Sequence, residues 1–397
     1  MNGIIVSLTT YPARIKGIQK VLDSIMAQTY KPDKVVLSLS EEQFLDRSLP
    51  VDLSVYLKQG LEIHWCQGDM KSHKKYLYAF QEYSDDYIIT IDDDFYYEKH
   101  MIEELIRGIN KFPGCVLARR THLITADPAG NISEYNKWWS KCLHYIGVPR
   151  MDLFAVGCGG ILYPPHLFTE EVFHADCIRE YCMHADDIWL KVMELISNIP
   201  VVQMPTRFLD RSDEGFAQDG LYQQHNISGG NDRSLHLLLK KYNDWGGMKE
   251  SLTDRIFSTG TVCENEIKEK RSKDNARLLE EWTAGIGKGM DIVIYGAGVV
   301  AKRVYNVLKK FGMVDRIRTF AVGDIERNVS DWKGVEVVQY KAADYRNAVC
   351  IIALSGLNDQ YRIYEQLLAA GLEENQLIFL NDGVLSGLRD LGEDDVN

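Results

Sequence analysis

At 397 residues the chain is long for a single domain, and two or three folding units are expected. It is 45% hydrophobic and 26% charged, with 21 tyrosines, which is the composition of a soluble globular protein. Its formal charge of −12 argues against a nucleic-acid binder, which would present a basic face, yet leaves room for a phosphorylated small molecule held by a few local cations.

The chain opens with "GIIVSLTTY", a short apolar run that ends in turn residues and reads as a buried strand. The run "IIVSL" is too short for a secretory leader and no cationic segment precedes it. Next, "RIKGIQKVLDSIMAQTYKPDK" places Ile15, Ile18, Val21, Leu22, Ile25 and Met26 at helical spacing and closes at Lys31-Pro32. "KVVLSLS" and "LEIHWCQ" are the following strands, "SHKKYLYAFQEYS" is an amphipathic helix, and "DYIITIDDD" is a further strand. This alternation predicts an α/β layer built on a largely parallel sheet. Ligands bind such sheets outside the carboxyl ends of the strands, so the loops "SLTTYPAR", "WCQGDMKSHKK" and "TIDDDF" should converge in space.

From Lys111 to Gly230 the pattern is less regular. The charged stretch from 249 to 288 reads as a helical connector, and "MDIVIYGAGVVAKRVYNVLKKFG" then restarts a strand, glycine turn and helix. The expected organisation is therefore 1–248, a connector over 249–288, and a smaller α/β domain over 289–390. Eight cysteines without a Cys-x-x-Cys pair read as reduced thiols. With no run long enough to cross a membrane, a cytoplasmic location is expected, and peripheral contact with the inner membrane face stays open.

Three consecutive carboxylates, Asp92, Asp93 and Asp94, follow the apolar run "YIITI". They could form a solvated acidic turn, but like charges crowded against the end of a buried strand suit a seat for a divalent cation. Mg²⁺ or Mn²⁺ takes hard oxygen ligands, often one or two carboxylates plus substrate phosphates. Asp92 and Asp94, two apart in an extended chain, would point the same way.

"YIITIDDDFYY" resembles the Asp-x-Asp motif of GT-A glycosyltransferases. With "IIVSLTTYPARI", "GCGG" and "HADDIWL", residues 1–245 resemble the family-2-like bacterial enzymes that build surface polysaccharides. The resemblance implies a GT-A fold followed by a Rossmann-like domain, and a hexosyl transfer from a nucleotide-sugar donor, UDP favoured, to a saccharide acceptor. A growing lipid-linked saccharide is among the candidate acceptors. It implies that Asp92 and Asp94 hold Mn²⁺ or Mg²⁺ against the donor's phosphates, with His225 as a candidate third ligand, although a lone histidine is more often structural. Asp93 would face the donor's ribose or sugar. Thr9, Tyr11 and Arg14 would meet the nucleobase and ribose, Asp69 the base and Lys74 the phosphates. An ordinary helix-start role for Arg14 and a solvated basic face for the lysines remain open.

"MHADDIWL" matches the acidic pair that heads a helix in inverting members of the family, so Asp187, rather than Asp186, is expected to take the proton from the acceptor hydroxyl. Two acids at a helix start also complement its dipole without any catalytic role. Gly157, Gly159 and Gly160 would let backbone approach a sugar, or make a tight turn. Trp138 and Trp139 would stack on an acceptor, or be core aromatics.

The second glycine motif, Gly296-x-Gly298-x-x-Ala301, lies between a strand and a helix as a dinucleotide fingerprint requires. An alanine fills its third position, and Asp324 comes late for a ribose ligand. Two competing functions follow: an NAD(P)-dependent oxidoreductase or epimerase acting on a sugar nucleotide through the C-terminal domain, and a non-catalytic sugar-nucleotide-binding scaffold. No Tyr-x-x-x-Lys pair stands where the first would need it.

Overall fold

The computed structural model describes residues 2–206, 211–212, 229–243, 245–247, 249–287, 289–326, 328 and 330–391. The chain divides into two units, Met1–Ile267 and Lys268–Asn397. In the first, seven strands make one mixed sheet in the order Val201–Gln203, Val116–Ala118, Ile161–Tyr163, Tyr87–Thr90, Ile4–Thr9, Lys34–Ser40, Leu61–Cys66. The four that open the chain pair in parallel. Ile161–Tyr163 inserts antiparallel between Tyr87–Thr90 and Val116–Ala118, and Val201–Gln203 closes the edge in parallel. The stretch that looked irregular in sequence thus supplies three short strands to the same sheet.

Parallel pairing needs crossovers, and the apolar spacing supplies them. The helix Ile18–Met26 buries Ile18, Val21, Leu22 and Ile25 against the sheet, each side chain contributing about 1.5–3 kcal/mol. The helix Lys74–Glu82 departs from a simple amphipathic pattern. It buries Lys74 and Lys75 together with Tyr76, Leu77 and Ala79, so its first turn is not a solvated basic face.

The antiparallel strand matters for the site. Because Ile161 sits beside Thr90 and Ala118, the residues before it, Gly157–Gly160, lie at the same sheet edge as the carboxyl ends of the parallel strands. That edge therefore collects the loops after Thr9, Ser40, Cys66, Thr90 and Ala118 and the turn that leads into Ile161.

The second unit carries a sheet whose parallel strands are, in chain order, Asp291–Tyr295, Ile317–Val322, Val335–Gln339, Ala348–Ile352 and Leu377–Ile378. Across the sheet they stand in the order third, second, first, fourth, fifth, with Asp331–Trp332 antiparallel at one edge. Residues 249–288, read from sequence as a connector, are shared out. Leu252, Ile256 and Val262 are buried in the first unit's core, while Leu279 and Ile286 are buried in the second's. The chain is α/β with a second, smaller sheet, as the strand and helix pattern predicts. Among the described residues no helix is long and apolar enough to cross a membrane.

Candidate active site

A cavity of about 840 Å³ opens at the collecting edge of the first sheet. Thr9, Tyr11, Arg14, Asp69, Lys74, Asp92, Asp93, Asp94, Asp186 and Asp187, all singled out from sequence, line it. The three loops expected to converge do so.

The strand before the acidic run ends at Thr90, and Asp93 and Asp94 lie in a turn rather than in extended chain. Asp93 and Asp94 consequently share Arg14, while Asp92 meets Lys75. Asp93 is buried and committed: Thr10 Oγ1 donates to it at 2.5 Å and Arg14 Nη1 at 2.8 Å. The same Arg14 nitrogen lies 2.9 Å from Asp94 Oδ2. Asp94 is nevertheless pushed up to about 7, by burial first and then by the charge of Asp92, with Arg14 opposing. Burial and the neighbouring Asp92 charge thus outweigh Arg14, and a further cation between Asp92 and Asp94 would relieve their repulsion. Asp92 and Asp94 offer hard oxygen atoms there, as a divalent cation needs, and two carboxylates are enough when phosphates complete the shell. The residues present fit the cation. His225 lies outside the described residues.

The second acidic pair begins the helix Asp186–Ile196. Between the two acidic sites stands Lys75, whose amine is 2.7 Å from Asp92 Oδ1 and 2.7 Å from Asp186 Oδ2. Its side chain is only 3% exposed, so Asp186 meets it largely out of water, whereas Asp92 is itself 30% exposed. Burial alone would raise Asp186, but Lys75, seconded by His73, brings it down to about 2. Asp187 moves the other way, to about 8, through burial and then the neighbouring Asp186 charge. One oxygen of Asp187 accepts the Gly157 N–H at 3.0 Å, and the other, Oδ1, is buried without a hydrogen-bond partner among the described residues. Glycine at 157 leaves the room that Lys75 and the two acids occupy. A Cβ there would lie 2.8 Å from Lys75 Nζ, 3.0 Å from Asp187 Oδ1 and 3.4 Å from Asp92 Oδ2.

At the far end Asp69 gathers Lys74 at 2.5 Å, Lys71 at 2.6 Å and Gln43 at 2.9 Å; burial would raise its carboxyl, but the two lysines hold it low. Thr9 Oγ1 donates to the Ser38 carbonyl at 2.7 Å, and the Arg14 guanidinium lies 5.7 Å from the centre of the Tyr11 ring. Gly159 and Gly160 are not part of the cavity wall. Gly159 admits a close approach by Arg120, whose Cβ would be 2.6 Å from an added Cβ, and Gly160 has φ +81. Trp138 and Trp139 are buried in the core.

Sequence reasoning gave no role to Lys75, Arg120, His122, Tyr135, His184 or Asn231, which also line the cavity. A lysine or arginine doublet gives no sign of which carboxylate each member meets; only packing decides it. In the second unit Gly296 has φ +116 and an added Cβ would be 3.0 Å from the Ala353 carbonyl, so glycine is needed there. Ala301 is fully buried, which explains a small residue in the third position.

No family model matches the chain, and no curated protein matches it. Among solved structures it is similar to S. aureus TarS 1–349, at 10% identity and a TM-score of 0.31, over 72% of this chain and 87% of that one. It is similar to glucosyl-3-phosphoglycerate synthase from Mycobacterium tuberculosis in complex with Mg²⁺ and uridine-diphosphate, at 10% identity and a TM-score of 0.36, over 60% of this chain and 79% of that one. A complex of the same synthase with Mn²⁺, uridine-diphosphate and glucosyl-3-phosphoglycerate gives 10% identity and a TM-score of 0.35, over 60% and 80%. Likenesses this slight carry no weight on what the chain does.

Proposed function

We propose that the first unit is a metal-dependent glycosyltransferase that moves a sugar from a nucleoside-diphosphate donor, UDP favoured, to a saccharide hydroxyl with inversion. One observation carries this: two carboxylate sites share one cavity, the first with Asp92 and Asp94 crowded close enough to repel and the second holding a basic, unpartnered oxygen.

Mn²⁺ or Mg²⁺ held by Asp92 and Asp94 would supply Lewis-acid neutralisation of the charge that builds on the departing nucleoside diphosphate. Asp93 fixes Arg14 and Thr10 beside that seat, and the Asp69 cluster presents Lys71 and Lys74 towards the donor. Asp187 Oδ1 takes the proton from the acceptor hydroxyl, while the Gly157 N–H on Oδ2 keeps the carboxylate aimed. Asp186, kept ionised by Lys75, raises the proton affinity of Asp187. Attack from the side opposite the leaving group passes through an oxocarbenium-like state and inverts the anomeric centre. The second unit is a Rossmann-like domain in this proposal, and residues 1–267 carry the chemistry.

A panel of nucleotide sugars screened for Mn²⁺-dependent hydrolysis and transfer tests the proposal. Asp94→Ala should lose both turnover and manganese dependence. Full activity of that variant in the presence of chelator would remove the metal role, and turnover of no donor by the wild-type chain would remove the whole proposal.

A further inference from the structure

Five cationic side chains line the cavity: Arg14, Lys71, Lys74, Lys75 and Arg120. Four of them face carboxylates, Arg14 at Asp93 and Asp94, Lys71 and Lys74 at Asp69, Lys75 at Asp92 and Asp186. Arg120 does not. Among the described residues its side chain has one partner, the Cys158 sulfur, 3.2 Å from Nη1, and its Nε is buried with no partner. Burial pushes the Cys158 thiol up to about 12, so the sulfur is neutral and a weak acceptor that offers no counter-charge. The adjacent Arg119 shows what a satisfied arginine looks like here: its Nε donates to buried Glu104 at 2.7 Å.

A guanidinium that lines a cavity without a carboxylate partner is suited to an oxyanion, because planar N–H pairs match carboxylate and phosphate oxygens. The fold places it on the side of the general base. The Arg120 carbonyl accepts the Val156 N–H at 3.0 Å, and the next residue, Gly157, donates to Asp187. Beside it His122 also lines the cavity; its Nδ1 accepts the Lys141 N–H at 3.1 Å, which leaves Nε2 to carry the ring proton, and burial keeps the ring neutral.

We propose that Arg120 recognises an anionic substituent, a phosphate or a carboxylate, on the acceptor, so that the enzyme transfers its sugar to an anionic saccharide. This rests on the glycosyltransferase assignment above and names the acceptor's chemical class. Asp187 and Arg120 then receive the two ends of one acceptor, a hydroxyl and an anion.

The test uses the full chain with Mn²⁺ and a donor that it turns over. Matched hexoside acceptors are offered unmodified, as the phosphate ester and as the uronate. The wild-type chain should favour an anionic form by about tenfold to a hundredfold in kcat/KM. Arg120→Gln should collapse that preference, Arg120→Lys should keep part of it, and the phosphate and uronate arms tell which anion is meant. An equal loss on charged and uncharged acceptors, or a change confined to the donor's KM, overturns the proposal. Calorimetric titration with inorganic phosphate gives a readout free of catalysis: the wild-type chain should bind it and Arg120→Gln should bind it at least tenfold more weakly. Equal binding by both proteins also overturns the proposal. Absence of all donor turnover would fell the glycosyltransferase assignment, and the phosphate titration would still decide whether Arg120 is an anion receptor.

Discussion

The acidic run after Thr90 and the acidic pair at Asp186 are built from the same side chain and share one cavity, yet they are charged differently. In the run, Asp93 is consumed by Thr10 and Arg14, while Asp94 is left crowded by Asp92 and half-ready to accept a proton. In the pair, Lys75 neutralises Asp186 and leaves Asp187 the more basic of the two. The residue type does not set the role. The nearest cation does, and Lys75 touches both clusters at once.

The largest effect that would sharpen this contrast is expected at Asp187. Asp187→Asn keeps the size and an acceptor for Gly157 N–H but removes the proposed base, and kcat should fall by about 10²–10⁴ with the fold intact by circular dichroism. A rate within a few-fold of wild type would break the division of labour between the two acids. Lys75→Met comes next. It strands Asp92 and Asp186 without their shared partner, so unfolding free energy should drop by roughly 3–5 kcal/mol in urea titrations. No loss would mean that the two clusters are independent.

The pH dependence of stability comes third. Asp187 titrates higher in the folded chain than in the unfolded one, so the folded state carries an extra proton between about pH 4 and 8. Its contribution therefore favours folding at the acid end and is lost as pH rises through that window, by up to about 1.4 kcal/mol per pH unit, and Asp187→Asn should flatten the slope. Asp186 has the opposite sign, stabilising above about pH 4 and losing that support as pH falls towards 2. The smallest signal concerns Asp94: manganese binding at pH 6 should release up to one proton, and almost none at pH 8.5, measured calorimetrically in buffers of different ionisation heat. Equal release at both values would detach Asp94 from the cation seat.

Much of the scaffold was legible in the residues. Period and punctuation marked the strands Ile4–Thr9, Lys34–Ser40 and Leu61–Cys66 and the helix Ile18–Met26, and the rule about carboxyl ends put the right loops around one cavity. The three-residue strands beyond Lys111 were not legible, because three residues cannot display a period. Nor were Lys75 and Arg120. Each is the second of a like-charged doublet, and sequence gives both members equal standing; Lys74 turns to Asp69 and Arg119 to Glu104 only because the folded backbone points them there. Asp92 and Asp94 were expected to point the same way along an extended strand, whereas a turn after Thr90 separates their surroundings.

Gly157 gives the arrangement a built-in intolerance. An added Cβ would come within 3.4 Å of an amine and two acids, so even the smallest replacement, one methyl, would act as a wedge. It would push the Lys75 ammonium away from Asp92 and Asp186 and crowd Asp187, disturbing both acidic sites without removing any of their ionisable groups.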